Sequence, residues 1–293
     1  MSKSVSRSVN EVDMLTRQLL HAVPLKAAAF IVTLYGDVVE PRGGVLWMGN
    51  VIETCAMAGI SENLVRTAVS RLVAAGQLTG ERIGRRSFYR LTPAARAEFA
   101  YAARVLYASR VAQQWHLVYL DGENADVSMR GLKRLGYAAL NPRLAFGPDD
   151  VPLSPEALVW KAGVIQGQDQ MRSFAAAHWD LAVYAEAYRT FIRNFQPVEG
   201  LLGKLGDEEA LTLRLLMVHQ YRYVALRAPH LPREALPENW EGHMARSLFA
   251  RLYLTLSNKA DAYVSGKFVD NNGVLIEQGQ SLQQRLVCLS QLD

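Results

Sequence analysis

Apolar and polar residues repeat with a helical period between Ser61 and Ala75. Ser61 is a typical N-cap residue and Gly76 a typical residue just beyond a helix end, so the pattern predicts a helix over this range. At about 100° per residue, one half of this helix is apolar and is predicted to face a core. Its members are Leu64, Val65, Ala68, Val69, Leu72 and Val73.

The opposite half of this helix has no acid and no large apolar side chain. It consists of Asn63, Arg66, Thr67, Ser70, Arg71 and Ala74. Arginine, asparagine, serine and threonine are the residue types that contact base edges in the major groove of DNA. An ordinary solvated helix face would usually include Glu and Lys as well. On the helix alone, a DNA-contacting face and a solvated face both remain open.

A hairpin is predicted directly after the helix. Residues 77–81 and 87–91 have the pattern of short strands, and Gly84 in the connecting segment 82–86 permits a tight turn. A helix followed at once by a basic-tipped hairpin is the layout of a winged helix-turn-helix. The predicted DNA-binding residues are Asn63, Arg66, Thr67, Ser70 and Arg71 for base edges and Arg82, Arg85 and Arg86 for phosphates.

Positive charge is concentrated in the same stretch. Between Ser61 and Leu91, six arginines and two glutamates leave a net charge of +4, and the whole chain of 293 residues also has a formal net charge of +4. The other residues therefore sum to zero. A local positive patch on an otherwise neutral protein indicates double-stranded DNA as the partner.

The flanking segments predict the rest of a winged-helix domain. A mobile Ser-rich arm covers about residues 1–10, and helices are predicted over 10–22, 25–35 (opened by Pro24) and 45–58, with a turn-rich connection at 36–44. Thr92-Pro93 indicates the start of a further helix that ends near Ser109. Helix, helix, bend, helix and hairpin is the order that a winged helix requires.

The second half of the chain changes from mixed to helical patterns. Strands at 115–120 and 157–164, a helix at 125–135, and either one strand or a pair of short strands broken at Asn141-Pro142 over 137–146 predict a small ferredoxin-like α+β domain. Helices follow from residue 168, with an aromatic seam that favours core packing over a wall for an aryl ligand. That seam consists of Leu181, Tyr184, Tyr188, Phe191 and Phe195. Helices at 207–227 and 243–263 come next, and residues 264–293 are predicted to be less regular, with a polar tail.

The predicted fold class is therefore multidomain α+β. Its parts are an N-terminal arm and helix (1–23), a winged helix-turn-helix DNA-binding domain (24–92), a linker helix (93–110), a ferredoxin-like middle domain (111–178) and a helical C-terminal domain (179–293).

Composition narrows the class of protein. Half of the residues are hydrophobic and a fifth are charged, which is typical of soluble globular chains. No run approaches the roughly 18 apolar residues of a membrane span, and the polar N-terminus lacks a signal-peptide core, so a cytoplasmic location is expected. Cys55 and Cys288 are predicted to be free thiols, with a redox switch at Cys55 as a minor alternative.

Signatures of catalysis are missing from the sequence. It contains no HExxH, GxSxG or Walker-type motif, and two cysteines cannot form a thiolate zinc site by themselves. We therefore predict no catalytic residue, no metal site, no cofactor and no enzyme activity. Asp121, at the end of a predicted strand, leaves a Mg²⁺-dependent nuclease as a competing hypothesis, although an Asp-Gly pair is more typical of a turn.

Taken in order, several segments resemble the PaaX-like family of transcriptional repressors, the negative regulators of the phenylacetic acid degradation operon. The similarity covers about residues 24–265, and the ordered combination is more specific than any single segment. The segments are Phe30–Asp37, Gly84–Thr92, Trp179-Asp180-Leu181 with Tyr188, Leu213-Arg214-Leu215, His219–Arg222, Leu231-Pro232, Leu236-Pro237 and Trp240-Glu241-Gly242.

The resemblance implies a cytoplasmic homodimeric repressor with a winged helix, a Cas2-like middle domain and a C-terminal domain for effector binding and dimerisation. The effector of the family, phenylacetyl-CoA, releases the protein from operator DNA. An acyl-CoA requires cations for its phosphates and an apolar slot for its aryl group, so the candidate effector residues are Arg214, His219, Arg222 and Trp240. The alternative is that His219 and Arg222 brace the Pro-rich turn at 228–237.

This chain departs from the family pattern at two positions. The family often has His-Glu-Tyr-Arg and Asp-Pro in the C-terminal region, whereas this chain has Gln220 and Ala228. The loss of two carboxylates leaves the identity of the effector open. An effector-independent DNA-binding protein is therefore a further alternative.

Overall fold

The computed structural model describes residues 2–22, 25–108, 114–149, 157–275 and 279–291, with side chains from residue 11 onward. The chain is a mixture of helices and antiparallel sheets, which confirms the predicted α+β class. It divides into two compact units. The first comprises Met1–Ser109, Phe191–Arg222 and Arg246–Asp293, and the second comprises Arg110–Thr190 and Tyr223–Ala245. The finer division into five segments stays a prediction, and Pro24 lies outside the described residues.

The first unit begins with the helices and the small sheet predicted from the sequence. These elements are α1 (Ser2–Ala22), α2 (Ala27–Leu34), a π-helical turn (Tyr35–Val39), a 3-10 turn (Glu40–Arg42), β1 (Val45–Trp47), α3 (Met48–Met57), α4 (Glu62–Ala74), β2 (Leu78–Ile83), β3 (Arg86–Leu91) and α5 (Pro93–Tyr107). Strand β3 lies between β1 and β2, and both pairings are antiparallel. The predicted hairpin and the helix that follows it are confirmed.

Three local predictions in this part are wrong. The connection at 36–44, predicted to be rich in turns, is instead helical through Arg42, and the chain reverses only at Gly43 and Gly44, whose φ angles are 100° and 79°. Residues 45–47 are a strand rather than helix, since they pair with residues 88–90 of β3. That pairing partner is distant in sequence, and it overrides the local preference. Helix α1 begins at Ser2 rather than near residue 10. The sequence predicts a mobile arm for the residues that form this first part of the helix.

The second unit contains a four-stranded antiparallel sheet. Its elements are β4 (Trp115–Tyr119), α6 (Ala125–Arg134), β5 (Ala138–Asn141), β6 (Leu144–Pro148), β7 (Leu158–Ala162), a 3-10 turn (Gln168–Gln170), α7 (Met171–His178) and the start of α8 (Leu181–Phe195). The strand order is β5-β6-β4-β7. Val118 of β4, Leu132 of α6 and Ala145 of β6 are buried in one core cluster. The strands and the helix predicted here are confirmed.

The chain then passes through helices that complete both units. After α8 come a 3-10 turn (Gln196–Lys204), α9 (Asp207–Ala225), a 3-10 turn (Arg233–Ala235), α10 (Glu241–Lys267), β8 (Val269–Asp270), β9 (Gly273–Val274) and α11 (Gln280–Ser290). Phe191 and Phe195 of the aromatic seam are fully buried, as core packing predicts. The polar tail predicted beyond Asn271-Asn272-Gly273 is wrong, because α11 buries Leu282, Arg285 and Leu289 along one face.

No single helix in the described part of the chain is long and apolar enough to cross a membrane. The segments Glu11–Ala22 and Ala27–Arg42 meet that criterion only as a pair, and the pair is bent by 120°.

A buried carboxylate, Asp37, joins the π-helical turn to the C-terminal helices of the first unit. Its Oδ1 accepts hydrogen bonds from the hydroxyls of Tyr107 and Tyr253, both at 2.9 Å. Its Oδ2 accepts from Nε of Arg214 at 3.0 Å. Nη1 of Arg285 donates to the backbone carbonyl of Asp37 at 2.9 Å and to its Oδ1 at 3.3 Å. One side chain thus holds α5, α9, α10 and α11 against the turn that follows α2.

A second carboxylate extends this buried cluster. Oδ1 of Asp261 accepts from Nη2 of Arg42 at 2.6 Å and from Nη1 of Arg214 at 2.7 Å. Arg42, Arg214 and Arg285 therefore face Asp37 and Asp261, all of them buried. Burial raises the pKa of Asp37. Arg214 and Arg285, together with the hydrogen bonds from Tyr253 and Tyr107, lower it by more than burial raises it, so the pKa lies below the usual range. Asp37 is consequently ionised at neutral pH.

The substitution Asp37→Asn should lower the free energy of unfolding by about 3–5 kcal/mol at pH 7, because it leaves buried guanidinium groups with one carboxylate fewer. Urea denaturation measures the loss. The folded pKa of Asp37 is lowered, so its contribution is complete above the unfolded pKa and is lost as the pH falls through the folded value. The difference between wild type and variant should therefore shrink in acid.

Asp121→Asn is the matched control, since the side chain of Asp121 is 85% exposed. Its expected effect lies within about 0.5 kcal/mol. Equal losses for the two variants would contradict the role assigned to Asp37.

Candidate nucleic-acid interface

Helix α4 has the boundaries that the sequence predicts. Ser61 has the extended backbone of an N-cap, although its side chain makes no capping hydrogen bond. Gly76 ends the helix with a φ of 68°, where a residue with a side chain would be strained. Four of the six apolar positions are buried as predicted, namely Val65, Ala68, Val69 and Leu72. Leu64 and Val73 are instead 59% and 40% exposed, because they lie at the two edges of a narrower buried arc.

The five predicted base-contacting residues lie together on the exposed side of α4. They are Asn63, Arg66, Thr67, Ser70 and Arg71. Arg66 is paired with Glu62 one turn earlier, with Nη2 at 2.6 Å from Oε1. The hydroxyl of Thr67 donates to the backbone carbonyl of Asn63 at 2.9 Å. The placement fits a contact surface, while the role of each residue stays a prediction.

The tip of the hairpin β2–β3 presents the three predicted phosphate-binding arginines to solvent. Gly84 has a φ of 60° and Arg85 a negative φ, which is the pattern of a type II′ two-residue turn between the paired Ile83 and Arg86. Nε of Arg82 donates to the carbonyl of Gly84 at 3.2 Å. The guanidinium of Arg86 lies 4.9 Å from the ring centre of Trp47 in β1. This stacking restricts Arg86 without removing its charge.

The hairpin is fixed to the helices behind it by direct hydrogen bonds. The hydroxyl of Tyr35 donates to the carbonyl of Tyr89 in β3 at 3.0 Å. The ring of Tyr89 covers Gly80, where an added Cβ would lie only 2.6 Å from the ring. At the base, the hydroxyl of Thr92 donates to the carbonyl of Gly76 at 2.7 Å. The end of α4 and the two strands therefore form one rigid piece.

The C-terminal hairpin β8–β9 provides a further support that the sequence did not reveal. Asn50 of α3 donates to the carbonyl of Lys267 at 3.1 Å and accepts from the backbone N–H of Val269 at 3.0 Å. Asn271 donates to Glu81 of β2 at 3.3 Å. These bonds join residues more than 180 positions apart along the chain. The residue pattern within either segment therefore does not predict these hydrogen bonds.

Three of the four candidate effector residues lie on α9 and contact α2 or the turn after it. Arg214 is fully buried in the Asp37 cluster. Nδ1 of His219 lies 2.8 Å from Oγ1 of Thr33. Nη1 of Arg222 donates to the same Oγ1 at 2.9 Å and to the carbonyl of Ala29 at 3.1 Å. These described bonds of His219 and Arg222 go to α2, not to the Pro-rich turn.

Trp240, the fourth candidate, belongs to the second unit. It is buried, and its ring centre lies 6.0 Å from that of Tyr188. Tyr188 is another member of the aromatic seam, so this contact is core packing within that unit. The effector roles of Arg214, His219, Arg222 and Trp240 stay predictions, and the first three of these residues hold α9 against α2 and the π-helical turn.

The competing chemical sites have ordinary structural roles. Oδ1 of the exposed Asp121 accepts from the backbone N–H of Gly122 at 2.8 Å and from Nη1 of Arg143 at 3.2 Å, as in an Asp-Gly turn. Within the described residues, no group of three or more His, Cys, Asp or Glu side chains could hold a metal ion. Burial raises the pKa of the Cys55 thiol to about 12, which makes it a poor redox switch.

Comparison with known proteins identifies the family. Residues 26–95 match the PaaX-like protein model, and residues 179–266 match the model of the PaaX-like protein C-terminal domain. The transcriptional repressor PaaX of Escherichia coli is 32% identical over 304 residues, which cover 94% of this chain and 95% of that protein. The chain belongs to the PaaX-like family. This membership confirms the resemblance found in the sequence.

The two matches contain both groups of residues described above. Helix α4 and the hairpin β2–β3 fall in the first PaaX-like match, and the four candidate effector residues fall in the second. A solved structure of an uncharacterized protein from Mycobacterium tuberculosis is similar with a TM-score of 0.52 and 20% identity. It covers 81% of this chain and 98% of that chain. At this identity the likeness concerns the fold alone.

The stability of this PaaX-like protein should depend on pH through His219. Burial, and then the charge of Arg222, lower the pKa of His219 to about 4, whereas an unfolded histidine has a pKa of about 6.5. The contribution of the neutral ring is thus complete above pH of about 6.5 and is lost as the pH falls towards 4, up to about 3 kcal/mol. His219→Gln should remove this part of the pH dependence in urea denaturation.

His21→Gln, at an exposed histidine on α1, is the control for replacing a histidine that the core does not bury. Parallel stability profiles for wild type and His219→Gln between pH 7.5 and 5 would show that His219 is not buried as a neutral base.

Proposed function

We propose that this protein is a transcriptional repressor that binds operator DNA through α4 and the hairpin β2–β3. The observation that carries the proposal is the exposed polar face of α4 beside the arginine-tipped hairpin. Family membership supports it, since a relative of nearly equal length is named a transcriptional repressor. We assign the segment from α2 to β3 to a winged helix-turn-helix.

The dimensions and charges of this surface suit duplex DNA. The major groove is about 12 Å wide and admits one α-helix, whose polar side chains can then reach base edges. Arginines on an adjacent hairpin can bind the neighbouring phosphates. Arg66 must exchange Glu62 for DNA, and this exchange costs little because both side chains are more than half exposed.

The second unit supports a ferredoxin-like, Cas2-like assignment. Across the sheet the strands lie in the order β5-β6-β4-β7, which are the second, third, first and fourth strands along the chain. All neighbours are antiparallel, and α6 connects the first strand, β4, to the second, β5. This is the arrangement expected of a ferredoxin-like sheet. We propose that the repressor acts as a homodimer on a pseudo-palindromic operator, in which two copies of α4 contact half-sites one or more helical turns apart.

We further propose that an aryl-CoA thioester, phenylacetyl-CoA, releases the repressor and so controls phenylacetate catabolism. Helix α9 supports a mechanism, since Arg214, His219 and Arg222 connect it to α2 and the π-helical turn. A ligand that binds better to a different position of α9 would shift the population towards dimers whose α4 helices no longer fit the operator.

Replacing Arg82, Arg85 and Arg86 together by alanine should weaken binding to all duplexes about equally. Each lost phosphate contact should also reduce the slope of log K against log salt by about 0.9. Fluorescence anisotropy over a salt series, with a duplex selected from a random-sequence library, measures both effects.

The matched control replaces three exposed arginines of the second unit, Arg130, Arg134 and Arg172, by alanine. Both variants lose the same net charge. If the hairpin arginines bind DNA, the hairpin variant should lose DNA affinity and the control should bind DNA as the wild type does. Undiminished, equally salt-sensitive binding by the hairpin variant would refute the proposed interface.

Phenylacetyl-CoA should lower the affinity of the protein for the selected duplex, whereas free CoA and phenylacetate should not. Calorimetric titration measures ligand binding, and anisotropy measures release from DNA. Ligand binding without any change in DNA affinity would remove the release mechanism and leave the DNA-binding function intact.

A further inference from the structure

Helix α4 carries a large apolar side chain that the core of the protein does not use. Leu64 lies in the first turns of the helix and is 59% exposed, whereas Val65 beside it is fully buried. An isolated exposed leucine needs no special explanation on an ordinary surface. This one, however, lies on the helix whose other exposed residues form the candidate DNA-contacting face.

Leu64 belongs to a row of exposed residues along α4. Leu64, Thr67 and Arg71 are spaced three and four positions apart, and all three are exposed. Residues at this spacing lie above one another on the same side of a helix. At a rise of 1.5 Å per residue, Leu64 and Arg71 are separated by about 10 Å along the helix axis, which corresponds to at most about three base pairs at 3.4 Å each.

The side chains of this row suit the groups that base edges present in the major groove of DNA. The guanidinium of Arg71 makes no hydrogen bond or ion pair with any residue that the structure describes, so it is available to guanine. The hydroxyl of Thr67 is bonded to the carbonyl of Asn63. Leu64 has no polar atom in its side chain to offer. On the base edges of a major groove, its natural partner is the C5-methyl group of thymine.

We propose that Leu64 is a specificity-determining residue that selects thymine through its methyl group. This inference rests on the proposed DNA-binding function and refines it at one position of the operator. The thymine should lie within about three base pairs of a guanine contacted by Arg71.

The test starts from duplexes selected by the wild-type protein from a random-sequence library. Each conserved thymine is replaced in turn by deoxyuridine, which removes the methyl group and keeps the base pairing. One such replacement should weaken wild-type binding about fourfold, as expected for one buried methyl group of about 0.8 kcal/mol. Leu64→Ala should bind the thymine and deoxyuridine duplexes equally well, and Leu64→Met should retain the preference for thymine.

Val73→Ala is the matched control, since Val73 is also exposed on α4 but lies at the other edge of its apolar arc and near its C-terminal end. It should keep the full preference for thymine. Because Leu64 and Val73 are both exposed, neither substitution removes core packing, and thermal melting verifies that each variant is folded.

Two outcomes overturn the inference while sparing the proposed function. One is wild-type binding that is indifferent to deoxyuridine at every thymine, and the other is a Leu64→Ala variant that still discriminates fourfold. Failure of the library to yield any preferred sequence is a different result, because it refutes sequence-specific binding and the inference together.

Discussion

The carboxylate of Asp37 is a full negative charge removed from water, and such a charge is tolerated only where several donors surround it. Four side chains supply them, from α5, α9, α10 and α11, and each lies far from Asp37 in sequence. Because losing any one donor would leave a buried charge poorly compensated, these helices cannot move independently of the turn after α2. The N-terminal part of the first unit is therefore supported by the C-terminal helices.

This dependence changes the interpretation of α9. A helix that carries Arg214, His219 and Arg222 has the composition of an anion site, yet these side chains contact Asp37, Thr33 and Ala29. Contacts between α9 and the segment of α2 and the π-helical turn can also couple the two, since a ligand that shifts α9 would change the contacts that hold this segment. The π-helical turn at Tyr35–Val39 is the point where that support reaches the N-terminal part of the first unit, which contains α4 and the hairpin β2–β3.

The parts of the molecule that the sequence predicts are those with local causes. Ser61 and Gly76 delimit α4, and Gly84 defines the hairpin turn, so the local residue pattern is enough to place these elements. Strand β1 escapes such a prediction because its conformation depends on pairing with β3, more than 40 residues later. Leu64 is wrongly assigned to the core because a helical wheel shows which half is apolar, but not how wide an arc the neighbouring helices cover.

The same limit explains the candidate effector residues. Spacing places charges on one face of a helix, but it cannot distinguish a charge that awaits a ligand from one that is already paired. One signal was available, since Arg214 lies within the apolar run Leu213-Arg214-Leu215-Leu216, and an arginine that such a run buries needs a paired carboxylate. Its partner Asp37 follows the similarly apolar segment Phe30–Leu34 and could have been paired with it.

Native-state hydrogen exchange of the backbone amides in Tyr35–Val39 tests the central claim most directly, namely that this turn is locked to α9, α10 and α11. If it is locked, these amides should exchange only with the same free energy of opening as the buried centre of α9, and both values should fall in parallel as denaturant is added. Exchange of the turn through a local opening of much lower free energy, while α9 remains protected, would contradict the account.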